Sequence, residues 1–207
     1  MADFTLDEDQ QQIQDMMRKF AQNELRAVAR DCDEESKLPE EILNKVWELG
    51  FCPNVIPEQY GGYEMGRSLV TAAIMLEELA YGDVSLSLGA LSPALMMIPI
   101  LEFGTEEQKE EWLPQFCGEK FFPATAALME PRITFDPFNL HTTVEMSGDV
   151  MLLNGKKCLV IISLFLVFLW CHSRLRRNRP WMNCASVKTG HYPIPTLTSA
   201  PVYILYL

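Results

Sequence analysis

Eighteen consecutive residues, Val84 to Leu101, carry no charge, and acidic sequence stands on both sides of them. In water such a stretch must be covered, by lipid or by the rest of the chain. Ser85, Ser87, Ser92, Pro93 and Pro99 dilute it, which argues against a membrane span. A helix apolar on every side belongs at the centre of a bundle. The expectation is an all-α bundle built round this segment, each fully buried Leu or Ile contributing about 1.5–3 kcal/mol.

The flanking sequence carries the helical grammar such a bundle needs. Thr5 and Glu8 read as a capping box, with Ile13, Met16, Met17 and Phe20 at helical spacing behind it. The charged stretch Arg26 to Lys37 reads as a solvated face, helical or partly loop. Pro39 opens a further helix whose stripe is Ile42, Leu43, Val46 and Leu49, and Gly50 ends it. Residues 51–66 hold Pro53, Pro57 and Gly61-Gly62 and read as loop. The next helix runs from about Arg67 to Ala80, with Glu77 and Glu78 expected to point outward. After Gly104, Thr105 and Gln108 form a second capping box, and Leu113-Pro114 and Gly118 close that helix.

Beyond Gly118 the pattern changes. Phe121 to Met129 is charge-free, with Thr and Phe in it, and reads as a strand. Thr142–Met146, Val150–Leu153 and Lys157–Val160 follow as short strands, separated by Ser147-Gly148-Asp149 and by Asn154-Gly155. The fold class is therefore α+β: an all-α N-terminal helical bundle followed by a partial antiparallel β-domain. The expected divisions are a helical domain over 1–118, a partial β-domain over 119–160 and an aberrant tail over 161–207. So few strands leave long unpaired edges.

Charge divides the chain at the same place. The first 160 residues hold all 28 acidic groups and 12 basic ones, and the remainder holds five basic groups and no acidic one. An acidic body argues against nucleic acid as a partner, and the arginines near 174–179 alone do not reverse that. The run Cys158 to Cys171 is continuously apolar. It reads as a short membrane anchor, as a buried strand pair, or as sequence never selected to fold here; the last is preferred because its local signals conflict with the rest of the chain. Six cysteines without CxxC spacing fit reduced thiols in the cytoplasm. The N-terminus lacks the basic and apolar regions of a signal peptide. Cys171, His172, Cys184 and His191 lack the paired spacing of a zinc site, so no metal is expected. No phosphate loop, GxSxG or HExxH is present, and the residues alone assign no catalytic group.

Several pieces in order nevertheless resemble the acyl-CoA dehydrogenase family. They are Phe4-Thr5-Leu6 with Gln10, Glu48-Leu49-Gly50, Pro57-Glu58-Gln59-Tyr60-Gly61-Gly62, Glu77-Glu78-Leu79-Ala80, the GTEEQK run at 104–109 with Leu113-Pro114, Ala127-Leu128-Met129-Glu130-Pro131, and Leu153-Asn154-Gly155-Lys156-Lys157. The resemblance covers about residues 3 to 160. It implies FAD as cofactor, an acyl-CoA thioester as substrate and a homo-oligomer in the intact family. It implies that the strand ending at Leu128-Met129 meets the flavin, with Met129 in place of the usual Thr, and that Asp136 is the one match to a following Ser-containing motif. The Trp and Thr of a second flavin-contacting segment are absent at Leu159-Val160-Ile161. By position, Leu88, Leu91 and Leu95 would line the acyl-chain cavity. The family's catalytic base lies in a C-terminal helical domain, so no residue of this chain is assigned that role and the chain is expected to be an N-terminal fragment, inactive alone. The competing reading is a helical interaction module, or a protein tethered to a membrane by the 158–171 run.

Overall fold

The computed structural model describes residues 5–147, 150–161, 168–175, 182–188 and 203–205. Phe4, Gly148, Asp149, residues 162–167, Arg176, Arg177, Arg179 and His191 lie outside them. The chain divides into two compact units, one of Met1–Leu91 with Leu113–Phe121, the other of Ser92–Trp112 with Phe122–Leu207.

The first unit is helical. Helix α1 (Glu8–Phe20) is capped by Asp7, not Thr5: the Asp7 carboxylate accepts from Gln10 N at 2.8 Å and Gln10 Oε1 accepts from Asp7 N at 3.2 Å. The box therefore sits two residues later than expected, because Asp is as good a cap as Thr and Gln10 stands three residues beyond it. A π-helical turn, Ala21–Leu25, leads into α2 (Arg26–Glu35), which ends with Ser36 in the left-handed region. Helix α3 (Glu40–Trp47) starts from Pro39 and buries Ile42, Leu43 and Val46, as its spacing requires. Helix α4 (Leu69–Gly82) is capped by Ser68 and packs along α1 and the π-turn. Gly82 is required there by close approach. A Cβ on it would lie 2.8 Å from Ala21 O and 2.9 Å from Leu25 Cβ.

The uncharged run forms two helices, α5 (Val84–Leu91) and α6 (Ala94–Phe103), where one was expected. The break is a turn at Ser92-Pro93, where proline has no N–H to give. Val84–Phe103 is by length and composition apolar enough to cross a membrane, but 61% of it is buried inside the protein. The core of the helical unit gathers Met17, Leu25, Ile42, Leu43, Val46 and Leu79 against Leu86, Ala90 and Leu91 of α5. The segment Leu113–Phe121 returns to this unit. Trp47 Nε1 donates to Gly118 O at 2.7 Å, Phe121 N donates to Asn44 Oδ1 at 2.8 Å, and the Trp47 and Phe121 rings meet edge to face.

The second unit holds α6, α7 (Glu106–Trp112) and a sheet. Helix α7 has the expected box: Thr105 N donates to Gln108 Oε1 at 3.0 Å, and Gln108 N to Thr105 Oγ1 at 3.3 Å. The strands are β1 (Ala124–Ala127), β2 (Thr143–Ser147), β3 (Val150–Asn154), β4 (Phe168–Leu175), β5 (Met182–Lys188) and β6 (Tyr203–Leu205). Strands β2 and β3 form the expected hairpin, Ser147 opposite Val150. The antiparallel pairs β3–β6 and β4–β5 extend it, and β4 also runs parallel to β1 and to β2. The protein is thus α+β, helices first. Part of the apolar run, from Phe168 onward, lies in a strand of this sheet.

Lys157–Val160 is not a strand. Asn154-Gly155 makes no second hairpin, and Leu159 has a positive φ of 51°. Gly155 is needed for another reason: a Cβ there would sit 2.5 Å from Thr142 Oγ1. The residues after it leave the ladder to bond the end of β1.

Candidate functional site

Strand β1 is short, and the four residues that follow it, Leu128 to Pro131, project beyond the paired part of the sheet. Ser92 Oγ anchors the start of the strand through Ala124 O at 3.1 Å. Its far end is anchored by a carboxylate. Glu130 is 2% exposed. Oε1 accepts from Thr142 N and Thr142 Oγ1, both at 2.7 Å, and Oε2 accepts from His141 N at 2.8 Å. Lys157 Nζ lies 3.3 Å from Oε1 and Arg132 Nη2 lies 3.3 Å from Oε2. A buried carboxylate needs such a set, since each unpaired charge costs several kcal/mol. Burial alone would push this acid up, but the two backbone amides, the Thr142 hydroxyl and the Lys157 charge outweigh it and hold the carboxyl down at about 2.

Lys157 and its neighbour also grip the backbone. Lys157 Nζ also donates to Leu128 O at 3.0 Å, and Cys158 N donates to Met129 O at 2.9 Å. Both carbonyls at the strand end are therefore held from within. The side chains of Leu128 and Met129 remain open, 40% and 38% exposed. Arg132 closes the loop that follows, donating to Asn139 O at 2.6 Å and contacting His141 Nε2 at 3.1 Å. Asp136 is exposed, and its Oδ1 accepts from Phe138 N at 2.9 Å, so its carboxylate is turned into its own loop. Leu159 is exposed, and Val160 and Ile161 are half-buried.

The three leucines separate. Leu91 is buried in the helical core, whereas Leu88 and Leu95 are 49% and 45% exposed. A surface groove of about 450 Å³ lies elsewhere in the helical unit, lined by Phe20, Glu24, Lys45, Glu48 and Leu49. None of the expected site residues lines it. Lys45 there is paired with Glu41 at 2.9 Å and Glu24 at 3.0 Å. No group of three or more metal-ligating side chains occurs among the described residues.

Sequence reasoning missed one feature outright. Glu78 does not point outward; it is 1% exposed. Gln14 Nε2 and Arg18 Nη2 each donate to its Oε1 at 3.0 Å, and Arg18 Nε donates to Oε2. The Arg18 hydrogen bonds come first among the causes that hold this carboxyl below its ordinary value. Tyr81 lies under Arg18 at 4.0 Å and Arg26 at 4.9 Å. The signal was available in the sequence. Glu78 sits one turn from Ile74 and Met75 and beside Leu79, on the arc that α4 buries, while Glu77 lies 100° round the helix.

The sequence profile of the acyl-CoA dehydrogenase N-terminal domain matches residues 7–120. The chain belongs to the acyl-CoA dehydrogenase family. It is 34% identical over 155 residues to the cyclohex-1-ene-1-carbonyl-CoA dehydrogenase of Geobacter metallireducens, covering 75% of this chain and 40% of that protein. It is 33% identical over 154 residues to a probable medium-chain specific acyl-CoA dehydrogenase, mitochondrial, of Caenorhabditis briggsae, covering 74% and 37%. Among solved structures, a glutaryl-CoA dehydrogenase of Mycobacterium smegmatis in complex with FADH2 superimposes with a TM-score of 0.71 at 25% identity, covering 83% of this chain and 44% of that one. The chain thus spans about two-fifths of the length of the curated relatives it matches.

This family is one of FAD-dependent oxidoreductases. The end of β1 would offer a flavin few side-chain hydrogen-bonding groups. Leu128 and Met129 present an open face over a backbone fixed from behind, but Met129 brings no hydroxyl, and the Asp136 carboxylate is already engaged.

Proposed function

We propose that this chain is the N-terminal part of an FAD-dependent acyl-CoA dehydrogenase that oxidises an acyl-CoA to the 2,3-enoyl-CoA, and that it is inactive alone. The observation that carries the second half is the state of the buried carboxylates. A base that removes an α-proton needs a pKa near the working pH and a free lone pair. Glu78 and Glu130 are the two buried carboxylates among the described residues, and both are saturated with donors and shifted down. Neither is poised as that base, which supports the reading.

When bound, FAD supplies the acceptor for the β-hydrogen as hydride. The work of this chain's residues is placement. Leu128 and Met129 offer the flavin their backbone and Asp136 shapes the adjoining loop; Leu88 and Leu95, each exposed within its own unit, are the leucines open to a ligand, whereas Leu91 packs in the helical core. The organisation we propose is a helical domain over 1–118, a partial β-domain over 119–160, and a tail from 161 that is not family-like. In the intact enzyme a homo-oligomer is expected. The four cysteines described as free, Cys32, Cys52, Cys117 and Cys158, support a reducing compartment, and we place the protein in the cytoplasm. Immunofluorescence against a mitochondrial marker tests the placement, and co-localisation would refute it.

The functional reading is tested by titrating the purified chain with FAD and following flavin fluorescence. Binding weaker than micromolar, with no turnover of acyl-CoA, is expected. Micromolar binding with a bound-flavin absorbance spectrum would overturn the reading of the chain as an incomplete enzyme.

A further inference from the structure

The buried Glu130 cluster does more than satisfy a charge. It joins three segments that are distant in sequence: the end of β1, the His141-Thr142 turn that opens β2, and Lys157-Cys158. One of its partners bonds the same strand end a second time, Lys157 through Leu128 O, and the next residue, Cys158, bonds Met129 O. The carboxylate is 2% exposed and the Lys157 side chain 9%, so neither reaches a ligand outside. Any influence on a ligand passes through the backbone they hold.

We propose that Glu130 is a positioning residue: its carboxylate, fixed between the His141-Thr142 amides and Lys157, sets the backbone of Leu128 and Met129 at the angle that meets the flavin ring. The inference rests on the flavin reading above. It explains why a strand end without a side-chain hydroxyl still presents an ordered edge. With Met129 in place, backbone direction is the part of the contact this chain retains, and Glu130 controls it. A rigid backbone edge binds with less ordering cost than a mobile one.

The test is an amide-resolved NMR titration of the full chain with FAD up to millimolar concentration. In the unsubstituted protein, FAD is expected to shift the Leu128 and Met129 amide signals. In Glu130→Gln the same shifts should need roughly tenfold more FAD, because a charged hydrogen-bonding hub has become a neutral one. Lys157→Gln leaves the three amide and hydroxyl bonds to Glu130 in place and keeps the test alive if Glu130→Gln fails to fold; it should weaken the shifts severalfold. Glu78→Gln is the control, another buried carboxylate replaced, which should lower stability and leave the FAD titration unchanged. The inference is overturned if both unit-two variants titrate like the parent chain, if Glu78→Gln weakens binding equally, or if FAD moves neither amide in the parent chain. Micromolar saturation in the parent chain would overturn the incomplete-enzyme reading and leave the positioning role standing.

Discussion

Among the residues whose burial is described, the helical unit and the sheet unit each bury one carboxylate, and they do so in different ways. Glu78 faces side chains only, Gln14 and Arg18 from α1, and Arg18 is itself 40% exposed at the surface above it. Its pairing ties one helix to another along faces that apolar packing already joins. Glu130 faces backbone amides, and the basic groups beside it are themselves well covered, Lys157 at 9% and Arg132 at 19%. The difference follows from secondary structure. Helices satisfy their own amides internally and have none to lend except at their ends. The irregular chain around β1 has amides without ladder partners, and a carboxylate collects them. In the helices, then, a buried acid is an accessory to the core. At the strand end it is the organiser.

Substitutions can break this contrast. The largest effect is expected for Glu130→Ala, which strands two amides, a hydroxyl and a buried lysine. A loss of about 3–5 kcal/mol in the opening energy of the His141-Thr142 region is expected from hydrogen exchange. Glu78→Ala should cost less, about 2–3 kcal/mol by urea unfolding, since Arg18 can turn to water. A loss equal to that of Glu130→Ala would erase the distinction.

Acid should separate the two units by a similar amount. The Glu130 carboxyl is lowered from 4.5 to about 2 in the folded protein. A depressed acid contributes fully above its unfolded value and loses that contribution as pH falls through its folded one. The stabilisation, on the order of 3 kcal/mol, should therefore be whole above about pH 4.5 and fade towards pH 2. Glu130→Gln should flatten that dependence in exchange measured at Thr142.

Close packing and a stray hydroxyl give smaller effects. Gly82→Ala should destabilise the helical unit by about 1–3 kcal/mol, because its Cβ meets the Ala21 carbonyl. Thr125 Oγ1, fully buried on β1, has no hydrogen-bond partner among the described residues. Thr125→Val should raise the melting temperature slightly, for about 1 kcal/mol or less, where most core changes lower it.

The helical half could be read in advance because its rules are local. Thr105 with Gln108, Pro39 before α3, and the stripe Ile42, Leu43 and Val46 each depend on residues three or four apart. The failures there were of choice between near equals: Asp7 over Thr5 as cap, and Glu78 inward while its neighbour Glu77 is exposed. The turn at Ser92-Pro93 was also legible, since proline was present, but apolar continuity masked it. The site was harder. Lys157 reaches Leu128 across 29 residues and Glu130 reaches Thr142 across 12, and no short-range pattern records such pairings. Asn154-Gly155 looked like a hairpin because that pair serves turns well; here Thr142 lies against Gly155, and the chain leaves the sheet.

Both buried acids should be permanently ionised anchors. Carbon-13 NMR of the labelled carboxyl groups, followed against pH in the intact chain, measures this directly. A midpoint of about 2 for Glu130 and one below 4.5 for Glu78 are predicted. A midpoint near or above about 6 for either would mark a proton-transferring base and contradict the account.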